Sequence, residues 1–269
     1  MTMTSRNSPC TCGSGKRFKH CCGIDNPLPT LTHSRTPVSV DYTDSGWFAP
    51  HLRGEGMAAF CPPAMGKDLV QNVAAPPGVL IVPNFLNSTV CTEWCNYFRS
   101  ARGAPLEVQN IESFENTSEI AWERHASRIT QAVDYSEKKD EVLKEISRAF
   151  SECVMPYFNT QFAAFEQPTV LRYEPGGKYG AHSDNEYWDR EAGHWRKTLN
   201  RDFSILLYLN DQYEGGKLSF PNFLCKVKPT TGMLISFPSD HRYLHAAEPL
   251  LSGERFAVVS WGAITKQES

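Results

Sequence analysis

The chain has 269 residues, 41% of them apolar, and a formal net charge of −3 at pH 7. That length and apolar fraction can bury a substantial core, and 15 Phe, 10 Tyr and 6 Trp exclude a wholly disordered chain. The mild negative charge argues against a globally basic nucleic-acid binder, and no apolar run approaches the ~20 residues of a membrane span. The opening segment lacks the apolar stretch of a secretory signal, so a cytoplasmic protein is expected. In a reducing compartment, clustered cysteines read as metal ligands before they read as disulfides.

Four of the nine cysteines, Cys10, Cys12, Cys21 and Cys22, fall within thirteen residues. Residues 1–24 also hold Arg6, Lys16, Arg17 and Lys19 and no acid, a charge of +4 that leaves −7 for the rest. This split suggests a small module with its own partner. Two close pairs of thiolates can give Zn²⁺ four tetrahedral ligands, with His20 as a candidate to replace one of them. So short a module has almost no core, so metal binding would supply its folding energy. The run from Cys10 to Gly23 resembles the SEC-C zinc motif, found at the end of the translocation ATPase SecA and appended to many bacterial proteins. The resemblance implies Cys10, Cys12, Cys21 and Cys22 as the zinc ligands and hints at a docking partner for the tail.

Residues 24–78 contain eight of the eighteen prolines and little periodicity, as a linker or a wrapping segment would. The texture changes at Val79. A short apolar strand is expected over 79–82, then a helix from Ser88 or Thr89 to about Arg102 with Val90, Cys91, Trp94, Cys95 and Phe98 on one face. A second helix is expected from about Ser136 to Phe162, opened by Asp134 and Glu137 and striped by Val142, Leu143, Ile146, Phe150, Val154 and Tyr157. Eight short strands then follow between Thr169 and Trp261, which argues for a β-sandwich or jelly roll with the helices packed outside one sheet, an α+β domain.

The chemistry lies among these strands. Residues i and i+2 of a strand share a face, so His182 and Asp184 can present an imidazole and a carboxylate to one metal. A distant His245 would complete a two-His-one-carboxylate facial triad, and Arg255 is placed to hold a carboxylate bidentately. His241 competes for the distal ligand but follows a turn-like run, Pro238-Ser-Asp240. Tyr179 reads equally as cavity wall or core. The polar, aromatic segment 185–201 reads as a lid carrying Trp188, Trp195, Arg190 and Arg196, or as a solvated loop.

Tyr173, Tyr179, His182 and Asp184, then Tyr208-Leu-Asn210 and Gly215-Gly-Lys-Leu-Ser-Phe220, then His245, Pro249, Gly253 and Arg255 closely resemble the prolyl 4-hydroxylase-like branch of the 2-oxoglutarate/Fe(II) dioxygenases. The resemblance covers roughly residues 79–263. It implies a double-stranded β-helix over 79–269, behind a 1–23 zinc-binding tail and a 24–78 linker. It implies Fe(II) on His182, Asp184 and His245, and 2-oxoglutarate held by Arg255 and Tyr173. O₂ is the second co-substrate implied, with ascorbate as a candidate further cofactor. The expected reaction hydroxylates a C–H bond, most readily on a protein or peptide side chain, and releases succinate and CO₂. The rival reading is an adaptor whose zinc module is fused to an inactive β-helix domain.

Overall fold

The computed structural model describes residues 75–110, 116, 121–189 and 191–264. The four tail cysteines, the linker up to residue 74 and Arg190 lie outside them.

Two antiparallel sheets dominate. The larger has eight strands, with Leu80–Val82, Leu234–Pro238, Phe203–Tyr208, Arg255–Ile264, Thr169–Tyr173, Gln131–Val133 and Gly103–Pro105 in spatial order, and Phe162–Phe165 pairing off this path with Arg255–Ile264. The smaller has five, in the order Cys225–Val227, Leu218–Phe220, His245–Ala247, Lys178–His182 and Arg128–Ile129. Neighbours in each sheet come from distant parts of the chain, the crossing pattern of a double-stranded β-helix.

Strand alternation divides the large sheet into two faces. Phe203, Ile205, Leu207, Phe256 and Val258 join the core shared with the helices. Tyr208 and Ala257 pack instead with Leu218, Phe220 and Val227 of the small sheet. Arg255 is in phase with Ala257, Val259 and Trp261, so it too faces the space between the sheets.

The first helix runs Ser88–Ser100 and is capped by Asn87, whose side chain accepts from the Thr89 backbone N–H at 2.7 Å. The cap therefore lies one residue before the expected Ser88. Cys91, Trp94, Cys95 and Phe98 are buried at the i, i+3, i+4, i+7 spacing of one helical face. Trp94 also donates through Nε1 to Glu141 of the second helix, at 3.1 Å.

The expected helix over 136–162 is corrected in the structure. A single 3₁₀ turn, Ser136–Lys138, leads into the helix Lys139–Arg148, a π-helical stretch Ala149–Val154 and a last turn Met155–Phe158. Pro156 has no N–H to bond back four residues, which fits the widened turn before it. Asn159 takes a left-handed conformation and ends the helix. Phe162 instead begins the edge strand Phe162–Phe165.

Candidate active site

A cavity of about 430 Å³ opens between the sheets, lined by Tyr173, Tyr179, His182, Asp184, His245 and Arg255 among others. His182 ends the strand Lys178–His182, and His245 begins its neighbour, where the two are register partners. The register brings together residues 63 positions apart in sequence, with imidazole centroids 4.2 Å apart. Asp184 lies just past the strand end, where its backbone N–H donates to the Ser239 carbonyl at 3.0 Å.

The three side chains converge. Nε2 of His182 is 3.5 Å from Asp184 Oδ1, and Nε2 of His245 is 3.5 Å from Asp184 Oδ2. One ligand atom from each residue lies within 4.8 Å of the other two. The opposite ring nitrogens are tied to backbone carbonyls, His182 Nδ1 to Gly180 at 2.9 Å and His245 Nδ1 to Tyr243 at 3.1 Å. A carbonyl can only accept, so each Nδ1 carries the proton and each Nε2 directs its lone pair inward. Burial pushes the His245 imidazole down to about 4, so it stays neutral at neutral pH. The Asp184 carboxyl is held well below the usual carboxylate range by His245, His182 and Ser204, which outweigh its burial. Two inward imidazole lone pairs and one carboxylate are a donor set suited to Fe(II).

Ser204 and Ser239 were not identified from sequence. Ser204 Oγ donates to Asp184 Oδ2 at 2.5 Å and contacts Ser239 Oγ at 2.8 Å, orienting the carboxylate. The available signal was a lone serine inside the apolar run Phe203–Tyr208, in phase with the cavity face.

Arg255 lines the cavity and is only 2% exposed. Its Nη1 donates to the Gly216 carbonyl at 2.5 Å, and its guanidinium sits 4.0 Å from the Tyr173 ring centre. Its Nε is buried and without a partner. A buried guanidinium with an unused donor and no ion pair among the described residues is prepared for an incoming carboxylate. Gly216 permits this approach: its φ is +58°, and an added Cβ would come within 3.2 Å of Arg255 Nη1.

His241 is excluded from the cluster. Its Nδ1 meets Glu186 Oε2 at 2.7 Å, and its ring stacks on Trp195 with centroids 5.0 Å apart. Tyr179 is cavity wall, stacked on His182 at 3.6 Å. The segment read as a lid or a solvated loop folds as a hairpin, Glu186–Asp189 with His194–Lys197. Trp188 packs edge-on against Trp195, and Arg196 pairs with Asp189 at 3.0 Å. The hairpin contributes its base, Glu186, Thr198, Leu199 and Arg201, to the cavity wall. The tryptophans find partners within the hairpin and on His241, and neither lines the cavity.

Residues 168–262 match the 2OG-Fe(II) oxygenase superfamily. That span includes His182, Asp184, His245 and Arg255. Residues 6–24 match the SEC-C motif. Over 89 residues the chain is 37% identical to prolyl 3-hydroxylase 2 of Rattus norvegicus, a match covering 30% of this chain and 13% of that protein. It is 24% identical over 218 residues to prolyl 4-hydroxylase 1 of Arabidopsis thaliana, covering 70% of each. A solved prolyl hydroxylase from Trichoplax adhaerens, in complex with a hypoxia inducible factor peptide fragment, shares the fold of the oxygenase domain. Its TM-score is 0.51 at 23% identity, covering 69% of this chain and 83% of that one. Fe(II), 2-oxoglutarate and O₂ are the cofactor and co-substrates that this family implies for the oxygenase domain.

Proposed function

We propose that this protein hydroxylates a C–H bond of a protein or peptide side chain, with release of succinate and CO₂. The observation that carries the reading is the pairing, in one cavity, of three convergent metal donors with a buried arginine whose Nε has no partner.

In this reading His182, Asp184 and His245 hold Fe(II), and Arg255 grips the far carboxylate of 2-oxoglutarate with Tyr173 packed against its guanidinium. Iron bound there supplies the O₂ activation that oxidises the C–H bond. The chain's own part is placement. The backbone carbonyls of Gly180 and Tyr243 fix both imidazole tautomers. Ser204 holds the carboxylate, and the apolar wall from Leu171, Leu218, Ala257 and Val259 keeps water from the reacting end.

Cys10, Cys12, Cys21 and Cys22 bind Zn(II) in the tail, a reading supported by the SEC-C match. We assign 1–23 to that module, 24–78 to a linker and 79–269 to the oxygenase. The tail docks a protein partner, the protein is cytoplasmic, and ascorbate acts as a further cofactor. The prolyl hydroxylase names of the relatives favour prolyl residues as the target.

The test is anaerobic titration of the Fe(II)-loaded protein with 2-oxoglutarate, followed by admission of O₂. A visible charge-transfer band that saturates with 2-oxoglutarate, then oxygen-dependent succinate, is the expected result. The absence of both band and succinate would return the domain to the inactive-adaptor reading.

A further inference from the structure

The cavity has a second cation, Arg128, with no ion pair among the described residues. Arg128 stands in the strand Arg128–Ile129, in register with Tyr179. Its guanidinium lies 4.5 Å from the Tyr179 ring centre, and Tyr179 in turn stacks on His182. Arg128 is thus two stacked layers from the donor cluster. Its Nη1 donates to the Glu107 carbonyl at 3.0 Å, and its Nε is buried without a partner. The edge left over, Nε with Nη2, is the edge of a guanidinium that receives a carboxylate side-on.

The other cavity arginines are already committed. Arg201 is clasped by both Glu166 oxygens at 2.7 Å and lies over Trp261, and Arg255 is the residue that the proposed function gives to 2-oxoglutarate. Glu107 also lines the rim, but it is its backbone oxygen that meets Arg128. Gln109, which also lines the cavity, is oriented by Thr198, whose Oγ1 donates to Gln109 Oε1 at 3.1 Å. This leaves Gln109 Nε2 as a second buried donor without a partner. Buried donors are costly unless something accepts from them, and two in the lining of one open cavity point to a ligand acceptor.

We propose that Arg128, together with Gln109 of the same cavity lining, forms the subsite for a carboxylate that a peptide substrate carries close to its oxidised carbon. The inference rests on reading the cavity as an oxygenase active site. The acid is an Asp or Glu side chain; the chain-terminal carboxylate of a peptide offers the same chemistry. Trp122, half exposed at the opening, supplies an apolar face beside it.

The experiment uses the full chain with Fe(II) and 2-oxoglutarate and two random heptapeptide libraries, one ending in amides and one in free acids. Retention on the protein is read anaerobically, and +16 Da products are read after air is admitted. Amide-capped peptides bearing Asp or Glu should be retained about tenfold or more over their Asn and Gln counterparts, the scale of one charge-assisted pair. Arg128→Gln should lose that preference, and Arg128→Glu should turn it towards Lys and Arg, a reversal that a structural role would not produce. Equal retention of acid and amide side chains by the wild-type protein overturns the subsite, and this comparison needs no variant to fold. A preference confined to the free-acid library moves the assignment to the chain terminus and overturns the side-chain source. Acid-selective retention with no +16 Da product leaves the subsite standing and removes the oxygenase reading; products without acid selectivity do the reverse.

Discussion

At the residue scale, the proposed function assigns metal binding and co-substrate binding to different side chains, and single substitutions should resolve the two. Arg255 touches none of the three donors and ends against Gly216 and Tyr173. Truncating one side of a buried charge pair typically costs ~2–5 kcal/mol. That is on the order of 30- to 4,000-fold in affinity. Arg255→Ala should raise the 2-oxoglutarate requirement by that order while iron still binds, and Arg255→Lys should recover part of it, since charge survives without the planar fork. Equal anaerobic affinity in wild type and Arg255→Ala would remove this role. His245→Ala should instead abolish iron binding and turnover together, as read by metal analysis and succinate. Ser204→Ala keeps all three donors but frees Asp184 Oδ2. It should weaken iron by roughly 10–100-fold, the usual cost of losing a group that orients a metal ligand. Metal titration would show it.

At the element scale, the strands present the site and the helices hold the strands. Phe98 of the first helix is fully buried against Phe256, the residue after Arg255. Phe98→Ala should cost about 3–5 kcal/mol, seen as a lower denaturation midpoint with an unchanged slope. The turn Gly215-Gly216 behaves differently. Gly216→Ala puts a side chain at a φ of +58° and against the Arg255 guanidinium. It should raise the 2-oxoglutarate requirement more than it lowers stability. A midpoint loss with normal 2-oxoglutarate affinity would show that the glycine serves only the turn.

At the scale of the whole molecule, both sheets and both helical segments lie within residues 80–264, and the proposed zinc tail is separated from them by the Pro-rich stretch 24–78. Removing residues 1–23 should therefore leave iron-dependent 2-oxoglutarate turnover nearly intact. The same truncation should remove the tightly held zinc, because four thiolates form a closed site whereas the facial triad leaves positions open. A truncated protein that keeps a full equivalent of zinc after iron is chelated would place the zinc elsewhere.

Much of this was legible in the chain because it is local. Short strands follow one another between Thr169 and Trp261 as expected, and the helical stripe of Cys91, Trp94, Cys95 and Phe98 is the buried face. The His182, Asp184, His245 and Arg255 spacing was readable because these residues stand at strand ends that the motif positions. Other features depend on partners far away in sequence. The short strands of 103–133 have weak patterns of their own and exist through pairing with Thr169–Tyr173, Lys178–His182 and one another. The hairpin at 186–197 read as a loop because its aromatic residues satisfy each other and His241, contacts that no periodicity records. Ser204, Gln109 and Arg128 gained their roles only when two sheets closed around one cavity, since a lone polar side chain has no chemistry until folding supplies its neighbours and removes its water.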